Sequence, residues 1–115
     1  MAVPWIMELS RSPAVIFSPS IVLPVPEMAE ICRRYRVKEL SVFGSAARGD
    51  LQPGSDIDLL VEFEPGSRIG LFELWDLNGE LEKLLQRRVD LVTKDGLKKL
   101  IRSEVLREAR PVYAA

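Results

Sequence analysis

Apolar residues alternate with polar ones in some stretches of the chain and recur at helical spacing in others, and the two periods divide it into strands and helices. Glu39-Leu40-Ser41-Val42-Phe43 and Ile57-Asp58-Leu59-Leu60-Val61-Glu62-Phe63 are short β-branched and aromatic runs that predict two strands. From Glu27 to Arg36, the residues Met28, Ile31, Cys32 and Tyr35 fall on one helical face with charged residues between them. Residues 70–87 predict the main amphipathic helix, with Leu74, Leu77, Leu81, Leu84 and Leu85 as its core-facing stripe. Phe72 and Trp75 lie to one side of that stripe and are expected in the core, with a partner-facing patch as the alternative. Arg88-Val89-Asp90-Leu91-Val92 predicts a third strand. Leu97, Leu100, Ile101, Val105 and Leu106 predict a last helix ended by Pro111, followed by Val112 and Tyr113 as an edge strand.

Strand, helix and strand from Asp56 to Val92 form a crossover unit, which sets the third strand parallel to the second. The expected fold class is therefore α/β, a small mixed β-sheet with packed helices. Residues 1–25 depart from this pattern. Ala14-Val15-Ile16-Phe17 and Ile21-Val22-Leu23 are apolar, but Pro13, Pro19, Pro24 and Pro26 interrupt them, so neither a membrane helix nor a signal-peptide core of adequate length is present. The expected organisation is an irregular, Pro-rich N-terminal extension over 1–25 and one domain over 26–115.

Composition narrows the chemistry. The chain has no histidine, which removes Ser-His-Asp and Cys-His catalysis and imidazole zinc sites and leaves acid-base and metal work to carboxylates. The single Cys32 cannot form an internal disulfide, which fits a reducing compartment. Charge is uneven along the chain: residues 44–90 carry 10 acidic and 5 basic side chains, whereas 91–115 carry 6 basic and 3 acidic. An acidic middle suits cations, and a basic tail suits phosphates or an acidic partner.

The candidate chemistry sits between the first two strands, in Gly44-Ser45-Ala46-Ala47-Arg48-Gly49-Asp50-Leu51-Gln52-Pro53-Gly54-Ser55-Asp56-Ile57-Asp58. Gly44 tolerates the backbone of a sharp strand-to-helix turn, whose exposed N–H groups can hold phosphate. Asp56 and Asp58, two residues apart on a strand, share a face with Cα atoms about 6.5–7 Å apart. They are hard oxygen ligands of the kind Mg²⁺ takes alongside substrate phosphates. A lone Gly-Ser or Asp-x-Asp is ordinary turn chemistry; the two joined to apolar strands at this spacing are far more specific.

Gly-Ser, ten residues, then Asp-x-Asp resembles the signature of the polymerase-β-like nucleotidyltransferases. Gly44-Ser45-x-x-Arg48-Gly49 with Ser55-Asp56-Ile57-Asp58-Leu59-Leu60-Val61 is similar to its minimal branch, the MNT proteins, and Arg88-Val89-Asp90-Leu91-Val92 matches the family's third carboxylate strand. The resemblance covers about residues 26–113. It implies the polymerase-β-like fold and transfer of a nucleoside monophosphate, AMP from ATP, to an acceptor hydroxyl. It also implies that Asp56, Asp58 and Asp90 are catalytic and hold Mg²⁺, as two ions, while Gly44, Ser45 and Arg48 bind the nucleotide phosphates. The implied partner is a HEPN-domain toxin in a hetero-oligomer, with this chain as the antitoxin that modifies it. An acidic centre disfavours nucleic acid as the direct acceptor. The alternative is a non-catalytic antitoxin or regulatory subunit that masks its partner, although masking alone does not call for three aspartates.

Overall fold

The computed structural model describes residues 15–18, 21–97 and 99–115, with side chains over 23–97 and 101–115. Its centre is a four-stranded mixed sheet built from β3 (Val37–Phe43), β4 (Ile57–Phe63), β5 (Val89–Thr93) and β6 (Arg110–Ala114), in the order β5-β4-β3-β6. β3 pairs antiparallel with both β4 and β6, and β4 pairs parallel with β5, as the crossover from Asp56 to Val92 predicts. Among the described residues four helices accompany it: α1 (Val25–Arg34), α2 (Gly44–Arg48), α3 (Leu71–Leu85) and α4 (Lys99–Glu108).

The alternation in β4 sorts the two faces of the sheet. Ile57, Leu59 and Val61 turn to the main core, where they meet Leu40 and Val42 of β3, Met28, Ile31 and Cys32 of α1, and Leu77 and Leu81 of α3. Leu60 turns the other way and joins Leu97 and Val105 in a smaller cluster beside α4, with Phe43 and Val92 packed against it. Asp58 shares the parity of Leu60, so strand periodicity places it on the thinly covered α4 face.

Helix ends follow local chemistry. Pro26 lies within the first turn of α1, where a missing N–H costs nothing, so the helix begins two residues before the predicted Glu27. It is over by Arg36, whose φ is +58°, and β3 starts at once. α3 closes at Gln86, φ +54°. Arg34 donates through both terminal nitrogens to Glu80, at 3.2 and 2.6 Å, and the Tyr35 hydroxyl donates to the same carboxylate at 2.5 Å, tying α1 to α3.

Three expectations are corrected. Within the stretch expected to be irregular, β1 (Val15–Ser18) and β2 (Ile21–Leu23) pair as an antiparallel hairpin, and Leu23 is fully buried. Both runs are β-branched and the prolines fall outside them, where they cost no ladder bond; Pro13 and Pro19 themselves lie outside the described residues. Phe72 and Trp75 are not core: they are 85% and 78% exposed, beside Leu71 at 82%. The buried stripe of α3 is Leu77 and Leu81, and the first turns of the helix overhang the edge of the sheet. In α4, Val105 is buried but Ile101 and Leu106 are exposed, and the Leu100 side chain lies outside those described. Among the described residues no helix is long and apolar enough to cross a membrane.

Candidate functional site

The site begins where β3 ends. Phe43 is paired with Asp58 across the sheet, so the next residue, Gly44, turns directly above the Asp58 side chain. Gly44 has φ +69°, and a Cβ placed there would run into the Asp58 carboxylate. Glycine is thus required twice, by the left-handed backbone and by the close approach. The five-residue α2 that follows is anchored by buried Ala46 and Ala47, leaving Ser45 half-buried and Arg48 exposed, and it stops at Gly49, φ +82°.

The return to the sheet is a tight turn. Ser55 N–H donates to the Gln52 carbonyl at 3.1 Å, with Pro53 and Gly54 between them and Gly54 at φ +83°. Proline followed by a positive-φ glycine suits the two central positions of a type II turn. Asp56 follows as an exposed residue, and Ile57 starts β4 with its N–H on the Arg88 carbonyl at 2.9 Å. That bond fixes the register in which Asp58 stands beside Asp90 and Leu60 beside Val92. The crossover therefore brings Asp90, distant in sequence, to the neighbouring strand at the same level as Asp58.

Burial pushes the Asp58 carboxyl above the usual carboxylate range, and the charges of Asp90 and then Asp56 push it further in that direction, against the pull of Arg48. Three carboxylates thus repel one another at one end of the sheet. Their oxygens are the hard donors that Mg²⁺ favours. Among the described residues, no three acidic or thiol side chains converge into a ready-made metal cage.

One residue of the site escaped the sequence pattern. Glu108, the last residue of α4, accepts a 2.7 Å hydrogen bond from the Gly44 N–H with one oxygen, and with the other a 3.0 Å bond from Arg48. It also contributes to raising Asp58. Its only local signal is a carboxylate at a helix C-terminus, where the helix dipole disfavours negative charge; its partners lie about 60 positions earlier. Arg48 is further drawn to Asp50, at 3.6 Å.

A 540 Å³ groove opens at the C-terminal ends of β4 and β5, between Phe63, Ile69, Leu74 and Lys94, at the far end of β4 from Asp58. A 260 Å³ depression lined by Leu71, Leu74, Trp75, Asn78 and Asp90 runs from the exposed start of α3 to the carboxylate end of β5. Of the three aspartates, Asp56 and Asp90 are exposed and Asp58 is half-buried.

Comparison with known proteins agrees with this fold. A family model described as a nucleotidyltransferase domain matches residues 25–112. The chain is 46% identical over 79 residues to the protein adenylyltransferase MntA of Thermococcus cleftensis, covering 69% of this chain and 78% of that protein. A solved structure described as a minimal nucleotidyltransferase superposes with a TM-score of 0.66 at 42% identity, over 76% of this chain and 87% of the other. A complex of a tri-AMPylated Shewanella oneidensis HEPN toxin with an MNT antitoxin superposes with a TM-score of 0.59, over 79% of this chain and 70% of that one. At 18% identity the last likeness shows the fold alone.

Proposed function

This chain belongs to the nucleotidyltransferase domain family, and on that premise we propose that it transfers AMP from ATP to a hydroxyl of a partner protein. The observation that carries the reading is the Gly44 turn held against Asp58, with Asp90 at the same level on the next strand. A phosphate-binding turn and a carboxylate set are there brought to one place by the pairing of β3, β4 and β5.

The acceptor oxygen attacks the α-phosphorus, the bond from that phosphorus to the bridging oxygen of the β-phosphate breaks, and pyrophosphate leaves with the electron pair. Gly44, Ser45 and Arg48 bind and orient the phosphates through backbone N–H, hydroxyl and guanidinium groups. Asp56, Asp58 and Asp90 would hold Mg²⁺, as two ions, which supplies neutralisation of charge on the triphosphate. Asp90 also takes the proton of the acceptor hydroxyl. A proton acceptor at the exposed end of an edge strand is within reach of a group presented from outside.

The exposure of Asp56 and Asp90 supports a macromolecular acceptor, because the surface leaves room for a whole side chain to approach. The exposed apolar residues Leu71 and Trp75 line the depression that reaches Asp90, with exposed Phe72 next to Leu71 in the helix, a natural contact for a protein segment. The MntA relative is a protein adenylyltransferase, and in the Shewanella complex the modified protein is a HEPN toxin. On this reading the partner is a HEPN-domain protein, held in a cytoplasmic hetero-oligomer and neutralised by AMP on a hydroxyl, and the kinship with MntA supports it.

Co-expression with a HEPN-domain partner, purification of the complex and intact mass measurement of the partner test the proposal. The parent should add the mass of one or more AMP groups, and Asp58→Asn should add none while still folding. A partner held without added mass by the active parent overturns the transfer reading in favour of masking alone.

A further inference from the structure

The Gly44 turn, which on the reading above receives phosphate, already holds an anion. Glu108 reaches it from α4, across 64 positions of sequence, and engages the Gly44 N–H at 2.7 Å and the Arg48 guanidinium at 3.0 Å. These are two of the three groups assigned to the triphosphate, and both bonds are charge-assisted, the shorter and stronger kind. We propose that Glu108 is a built-in competitor for the nucleotide phosphates: its carboxylate stands in the phosphate position and must leave before the triphosphate can bind.

Position and packing both suit a group that can leave. Glu108 is a C-terminal carboxylate on a helix whose dipole opposes it, so its place depends on the Gly44 turn and Arg48 rather than on α4. α4 is held to the sheet by a small cluster, with Ile101 and Leu106 exposed, so its last turn moves at little cost to the main core. When Glu108 leaves, the Gly44 N–H is released and Arg48 is left with Asp50 at 3.6 Å, so one displacement readies two phosphate contacts. Glu108 also stands near enough to add its charge to that of the aspartates around Asp58, and its departure lowers the negative charge there as the triphosphate arrives. Because α4 runs into β6 through Ala109 alone, the displaced turn borders the strand that pairs with β3.

An occupied site weakens apparent affinity by the fraction of molecules that are competent to bind. The inference rests on the nucleotide reading, so its test uses two probes: ATP with Mg²⁺, and inorganic tripolyphosphate with Mg²⁺. Both are titrated calorimetrically into the parent, Glu108→Ala and Glu108→Gln, and each protein is also melted without ligand. Glu108→Ala should bind both probes about tenfold more tightly than the parent. Glu108→Gln, which keeps an acceptor for Gly44 but loses the charge facing Arg48, should fall between them. If Glu108→Ala fails to fold, Glu108→Gln alone carries the comparison. Unchanged or weaker binding, with or without a lower melting temperature, overturns the proposal and leaves Glu108 a structural clasp. Tighter binding of tripolyphosphate with no binding of ATP by any of the three keeps the competition and overturns the nucleotide reading. Binding of neither probe by any protein overturns both.

Discussion

The tightest contact in the site is also the easiest to perturb with one methyl group. Gly44→Ala adds a Cβ where the φ is +69° and where the nearest atoms belong to the Asp58 carboxylate. A left-handed backbone at a residue with a side chain costs about 1–2 kcal/mol. Relief of the collision requires Asp58 to leave its rotamer, about 0.5–1.5 kcal/mol more. Gly66→Ala separates the two terms: its φ is +81°, yet nothing lies within 4 Å of the added Cβ, so it carries the backbone strain alone. For a domain of this size each kcal/mol moves the melting temperature by about 4 °C. Gly66→Ala should then melt about 4–8 °C below the parent, and Gly44→Ala about 6–14 °C below. The second effect is chemical. Movement of Asp58 by about 1 Å should lower transfer on the order of 10²-fold in Gly44→Ala and leave it unchanged in Gly66→Ala, on the far side of β4. Circular dichroism melts and initial rates of AMP incorporation into the partner give both numbers. Equal melting temperatures for the two variants, or transfer at the parent rate by Gly44→Ala, would refute the claim that this glycine is required by its approach to Asp58.

Two further expectations follow from ionisation. The Asp58 carboxyl is pushed up by burial and by Asp90 and Asp56, so the native state holds its proton more tightly than the unfolded state does. Its contribution to stability is therefore present below the ordinary carboxylate range and is lost as pH rises through the raised value. Asp58→Asn should melt no lower than the parent at neutral pH, show a smaller fall in stability over that rise, and transfer no AMP; a markedly lower melting temperature would show that the charge stabilises the fold instead. Burial likewise pushes the Cys32 thiol up to about 12, against an opposing pull from Arg33. At pH 8 the native protein should react with a thiol reagent on the order of 10³-fold more slowly than the unfolded chain, and prompt labelling without denaturant would contradict this.

The elements that were legible in sequence are those whose period is sustained by burial on one side. β4 alternates because Ile57, Leu59 and Val61 meet the main core, and α3 repeats because Leu77 and Leu81 do. The crossover rule then sufficed to set β5 parallel to β4 and to bring Asp90 level with Asp58. Legibility failed where an apolar residue had no obligation to be buried. Phe72 and Trp75 have core-like chemistry, but their exposure depends on how far α3 overhangs the sheet, and no local period encodes that distance. The hairpin of β1 and β2 failed for the opposite reason: its strands are only four and three residues long, too short for alternation to outweigh the prolines around them.

The site divides along the same line. Gly44, Asp56 and Asp58 lie within fifteen residues on one strand-turn-strand unit, and each is marked by a local requirement: a positive φ, a tight turn, a strand parity. Glu108 carries no such mark, because its place is fixed by two bonds to groups about 60 positions earlier, and nothing in α4 itself asks for a carboxylate. A negative charge at the C-terminus of a helix is nevertheless an anomaly that needs a reason elsewhere in the fold. Here the reason is a pair of donors that a phosphate would satisfy equally well. The local motif therefore specifies which chemistry the turn can perform, whereas the long-range contact specifies what occupies the turn before that chemistry begins.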